Sequence, residues 1–185
     1  MRGLGSTLAL ALVTAIAGCG GDEPPSAAPS QQRVEHALAG SPPALAAVHD
    51  QANELLGGGR TAFDAQLEKL QGHPVVVNKW ASWCAPCRAE FPIFQRVGLR
   101  YGKRVAFLGV NSEDVDADAK KFLGRYPVTY PSYLDGDGKI AGSINAGVAF
   151  PTTVFIDRKG KVVVSHPGQY RKQADLVADI RRYAR

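Results

Sequence analysis

Cysteine is scarce in this chain of 185 residues: Cys19, Cys84 and Cys87 are all it has. There is no second CxxC, and His36, His49, His73 and His166 stand singly without ligand spacing. A structural zinc site needs four converging ligands, so that reading of the cysteine pair is disfavoured, and no metal is expected. Charge of one sign in blocks is also missing. The net charge of +5 comes from 22 basic and 17 acidic residues spread along the chain, with Arg181-Arg182 the densest pairing and no aromatic interleaving. That weighs against a nucleic-acid partner. No apolar run is long enough to span a bilayer comfortably, the stretch from Leu8 to Ala17 included. Asp135-Gly136-Asp137-Gly138 lacks the further ligands and closing glutamate of a calcium loop, and reads as a tight turn. Internal repeats and a second core are absent.

What is present fits one soluble globular domain with a short appendage: 45% hydrophobic and 21% charged residues. Met1-Arg2, the apolar stretch and Ile16-Ala17-Gly18-Cys19 make up an export leader. The last four residues resemble the lipobox of bacterial lipoproteins. That resemblance implies cleavage before Cys19, diacylglycerol on its sulfur, and a protein anchored to the membrane without spanning it. An ordinary secretory leader, or a buried free thiol, is the alternative. Residues 20–43, rich in Pro, Ser, Ala and Gln, read as a flexible tether. The expected division is therefore a leader at 1–18, a lipid-anchored tether at 19–43 and a folded domain at 44–185.

Leu45, Val48, Ala52, Leu55 and Leu56 recur at helical spacing, which predicts a helix over 44–56 stopped by Gly57-Gly58-Gly59. A second helix is expected over 61–70, its inner stripe Phe63, Leu67 and Leu70. The pattern then alternates. Strands are expected at 75–80, 105–110 and 131–134, a hairpin at 152–157 and 161–165, and helices at 85–99, 116–125 and 173–183. The class is α/β.

Trp83-Cys84-Ala85-Pro86-Cys87 lies between the apolar run Val75-Val76-Val77 and a helical pattern. At a helix start, backbone N–H groups and the helix dipole favour the thiolate of the first cysteine, and the thiolate is the form that attacks disulfides. Strand, CxxC and helix in that order form the context of a redox site. The segment from Val75 to Pro92, VVVNKWASWCAPCRAEFP, resembles the active-site segment of the thioredoxin superfamily, and within it the TlpA/ResA-type extracytoplasmic thiol–disulfide oxidoreductases. Phe150-Pro151-Thr152-Thr153-Val154-Phe155-Ile156-Asp157 resembles their cis-proline loop.

This resemblance implies a thioredoxin-like fold, with a central mixed sheet flanked by helices and an extra helix and strand between the two motifs. Here the N-terminal extension reads as helical, where the family often has a hairpin. By the resemblance Cys84 is an exposed nucleophile and Cys87 the resolving thiol, the two forming a redox-active disulfide. Ala85 and Pro86 tune its potential and, together with Trp83, Phe150 and a cis Pro151, contact substrate. Glu90, three residues after Cys87, handles protons beneath the pair, as a solvated surface glutamate would not. Asn78 stands where cytoplasmic thioredoxins usually carry a buried aspartate, and it cannot relay a proton. Lys79 is unusual between Asn and Trp; it either lies at an edge or sits near the site.

The resemblance further implies an enzyme without bound cofactor on the outer face of the bacterial cytoplasmic membrane. It would exchange disulfides with extracytoplasmic proteins and be recharged by a membrane thiol donor. The expected direction is reduction, with apocytochrome c thiols as example clients. An oxidase installing disulfides is the alternative, and a metal-binding module a more distant one.

Overall fold

The computed structural model describes residues 29–185. The leader, Cys19 and the first part of the tether lie outside the described residues. Six strands form one sheet in the order β1-β4-β3-β2-β5-β6: β1 (Leu55–Leu56), β2 (Val75–Trp80), β3 (Ala106–Ser112), β4 (Ser132–Asp135), β5 (Thr152–Ile156) and β6 (Val162–Pro167). The first four run parallel; β5 is antiparallel to β2, and β6 to β5. Every residue of β2, β3 and β5 is buried, as expected of strands covered on both faces. The helices are α1 (Gln31–Leu38), α2 (Pro43–His49), α3 (Gly59–Lys69), α4 (Ala85–Tyr101), α5 (Asp116–Arg125), α6 (Lys139–Ser143) and α7 (Gln173–Tyr183). Here α4 packs on α1 and α7, and α3 on α6 and β4. This is a thioredoxin-like fold, with an additional helix and strand between the two motifs.

Register brings the two motifs together. Because β5 runs against β2, Thr152 at its start faces Lys79 near the end of β2. Pro151 therefore meets the segment 81–87 where the chain leaves β2. Ends of strands, not their middles, build the site.

The structure departs from expectation in three places, two of them in the N-terminal part. Residues 31–38, read as tether, form α1: Ser30 accepts the Arg33 amide at 3.3 Å, capping the helix, and Leu38 is buried. The helix expected over 44–56 stops at His49. Asn53 then turns through a left-handed φ of 64°, and Leu55-Leu56 pair with Ser132-Tyr133 as a strand. Helix α6 was not expected. Asp135, buried, accepts Ile140 N–H at 2.8 Å and Ala141 N–H at 3.0 Å, so the carboxylate in the acidic turn starts a helix.

Candidate active site

Cys84 is the N-cap of α4 and Cys87 lies in its first turn; the two form a disulfide. Cys84 Sγ accepts the Cys87 N–H at 3.1 Å, so the helix offers a donor that would stabilise a thiolate there. Cys87 is fully buried. Cys84 is only 3% exposed, which corrects the expectation of an exposed sulfur: capping and the disulfide turn it inward. Ala85 and Pro86 are exposed beside it.

One turn along α4 from Cys87, Glu90 points into the protein and is fully buried. Asn78 Nδ2 donates to its Oε1 at 2.6 Å and the Tyr170 backbone N–H to its Oε2 at 3.0 Å. Burial pushes its carboxyl up to about 7, against the partial opposition of those two hydrogen bonds. Asn78 Oδ1 is buried without a partner. A carboxyl titrating near neutrality on the cysteine side of α4 is suited to exchanging a proton with the resolving thiol.

Lys79 resolves to the site, not to an edge. It is 1% exposed; its Nζ donates to Gly147 O at 2.7 Å and lies 3.9 Å from the centre of the Phe150 ring. Desolvation lowers its pKa, while Glu113 and Asp135 pull it back up. Phe150 in turn lies 4.8 Å from the Trp83 ring, and the Phe150–Pro151 bond is cis. Trp83 is 57% exposed and donates from Nε1 to Glu113 O at 3.0 Å, so its indole is fixed yet presented to solvent. Val115, next to Asp114, and Val148, two residues before Phe150, are exposed too. Trp80, by contrast, is core: fully buried, donating to Ser132 Oγ at 3.1 Å.

Two site residues were missed in the sequence. Asp114 accepts from Ser82 N–H (2.5 Å), Ser82 Oγ (2.7 Å), Asn111 Nδ2 (2.8 Å) and Val115 N–H (2.8 Å). Desolvation would raise its pKa, but these bonds prevail and hold it below the ordinary value. It ties the end of β3 to the segment preceding Cys84. Tyr170 supplies the amide to Glu90, and its hydroxyl donates to Asp179 at 2.6 Å; nearby, Gly168 N–H donates to Pro151 O at 2.8 Å. No local motif marks either residue, because the partners that tie them to the site, Ser82 for Asp114 and Glu90 for Tyr170, are distant in the chain.

A family model described as Redoxin matches residues 52–180. The chain belongs to the Redoxin family. Both motifs, and every site residue named above, lie inside the Redoxin match. The chain is 31% identical over 109 residues to the thiol-disulfide oxidoreductase ResA of Bacillus anthracis, covering 58% of this chain and 62% of that relative. Over 112 residues it is 31% identical to the thioredoxin-like protein YneN of Bacillus subtilis, covering 59% and 65%. It thus spans less than two thirds of these relatives' length. Among solved structures it is similar to the exposed lipoprotein thioredoxin of Streptococcus pneumoniae, with a TM-score of 0.56, 27% identity, and 63% of this chain and 89% of that one covered. It is also similar to dsbF of MTB, with a TM-score of 0.57, 29% identity, and 62% and 84% covered.

Proposed function

We propose that this Redoxin-family chain is a thiol–disulfide oxidoreductase that reduces disulfides of extracytoplasmic proteins. The observation that carries the reading is the Cys84–Cys87 disulfide capping α4, with the buried carboxyl of Glu90 one turn further on. Starting from the dithiol, the Cys84 thiolate attacks one sulfur of the client disulfide. A mixed disulfide forms and the other client sulfur leaves as a thiolate, to be protonated. Glu90, as carboxylate, takes the proton of Cys87; the resulting thiolate attacks Cys84 Sγ and expels the second client sulfur. Two electrons pass to the client, and the enzyme ends as the disulfide seen here. The Trp83–Phe150 pair and the Pro151 loop form the platform for an extended client segment. A thiol donor in the membrane returns the two electrons.

The reduction potential of the pair, measured by equilibration with glutathione or dithiothreitol, tests the direction. A value near −250 mV or lower, close to thioredoxin at about −270 mV, supports reduction. A value of about −120 to −150 mV, close to DsbA, overturns it in favour of an oxidase. Among the described residues no helix is long and apolar enough to cross a membrane. The membrane attachment we propose is the acyl-linked Cys19, tested by palmitate labelling that Cys19→Ser abolishes. Apocytochrome c thiols are the client class proposed, and normal c-type cytochrome levels after deletion of the gene would exclude it.

A further inference from the structure

The basic residues look scattered along the sequence, but the fold gathers four arginines around one cleft. Arg100 comes from the last turn of α4, Arg104 from the turn that follows it, Arg158 from the β5–β6 turn and Arg181 from α7. The cleft holds about 360 Å³, and its other lining residues carry no side-chain charge. Among the described residues none of these four guanidiniums lies within salt-bridge distance of a carboxylate. Arg100 and Arg104 lie 5.6 and 5.4 Å from the Tyr101 ring. Asp157, next to Arg158 in the chain, is occupied by the backbone N–H groups of Lys159 and Lys161, each at 2.9 Å. All four arginines are exposed. Like charges held together on an open surface repel one another unless an anion lies between them.

The cleft sits at the opposite end of the domain from the cysteines. Pro74 and Val105, which line it, precede β2 and β3, whereas the site lies where those strands end. The 17 residues of α4 separate the two, about 25 Å at 1.5 Å per residue.

We propose that this arginine face docks on the phosphate headgroups of an anionic bilayer and holds the cysteine pair pointing away from the membrane. The proposal rests on the reading that Cys19 tethers the chain to a membrane. From Cys19 to Pro29 the chain has ten residues, a leash of at most about 35 Å fully extended, so the domain stays within reach of the surface. Guanidinium forks match phosphate oxygens in pairs, and each arginine near an anionic surface strengthens partition roughly fivefold. Four together are expected to supply a factor of roughly a few hundred at low salt.

The test is co-sedimentation of the full chain with vesicles of phosphatidylcholine alone or with 30% phosphatidylglycerol. Wild type is compared with R100Q/R104Q/R158Q/R181Q and with the corresponding four-lysine variant, which keeps the charge. The apolar N-terminal stretch is common to all three, so the differences report the cleft. The expected result is at least a tenfold preference of wild type over the glutamine variant on phosphatidylglycerol vesicles. It should disappear on phosphatidylcholine and in 0.5 M salt, with most binding retained by the lysine variant and unchanged dithiothreitol-driven exchange in solution. Equal partitioning of wild type and glutamine variant overturns the proposal. So does saturable binding of inorganic phosphate, at constant ionic strength, that displaces no protein from the vesicles. Palmitate labelling of Cys19 reads the tether separately, so failure of either is distinguishable from failure of the other.

Discussion

Replacing Glu90 by Gln isolates the buried acid. A carboxyl that titrates at about 7 instead of 4.5 is protonated more readily in the folded chain than in the unfolded one. Its contribution to stability is therefore complete below pH 4.5 and is lost as pH rises through 7. At about 1.4 kcal/mol per pH unit, integration between pH 5 and pH 8 gives a loss on the order of 2–3 kcal/mol attributable to this one group. Gln retains an oxygen to accept the Tyr170 N–H, and its amide can donate to Asn78 Oδ1, now without a partner, once the Asn78 amide rotates. The substitution is thus close to isosteric and satisfies the pocket. Urea unfolding of the oxidised chain at both pH values measures the effect. Wild type is expected to lose on the order of 2–3 kcal/mol more than the variant, and to lag behind it in stability at pH 8. In stopped-flow exchange, the variant should also lack an inflection near pH 7 in the step that resolves the mixed disulfide. Parallel loss of stability in the two proteins would refute the buried-acid argument.

Cys87→Ser is expected to accumulate a mixed disulfide on Cys84 with a protein client, seen as an added mass, while Cys84→Ala forms none; the reverse pattern would exchange the two roles. Lys79→Met removes the bond to Gly147 O and the cation over Phe150, and should lower stability by about 1–3 kcal/mol in urea. It should also raise KM for a protein disulfide more than it changes the rate with dithiothreitol. Leu38→Ala should cost about 2 kcal/mol if α1 belongs to the folded domain, and nothing in thermal unfolding if residues 31–38 are only a leash.

The elements that were legible in the sequence are those whose pattern and surroundings agree. Strand β2 is a continuous buried run before a recognisable motif, and α5 and α7 have the apolar periodicity of half-buried helices. Leu55-Leu56 continue a helical spacing but pair with β4, because the partner strand offers hydrogen bonds that a fourth helical turn beyond Asn53 does not. Helix α1 hid in a polar segment because its apolar contribution is little more than Leu38. At five residues, α6 is too short to show any period, and the carboxylate that starts it looks like a turn residue. The same division holds at the site. Cys84, Cys87, Glu90 and the Phe150-Pro151 pair sit in local motifs. Tyr170, 80 residues from Glu90, and Asp114, 32 from Ser82, become neighbours only through the sheet. The arginine cleft was invisible for the same reason: its members come from three separate segments.

The short turn from Gly168 to Tyr170 grips the Pro151 carbonyl at one end and the Glu90 carboxylate at the other. An engineer wishing to change which clients this protein accepts would begin with the loop around Phe150 and Pro151. Any redesign that moves that loop has only three residues in which to absorb the movement before it reaches the acid. Altering the clientele and altering the pH at which the protein works are, in this scaffold, coupled design variables.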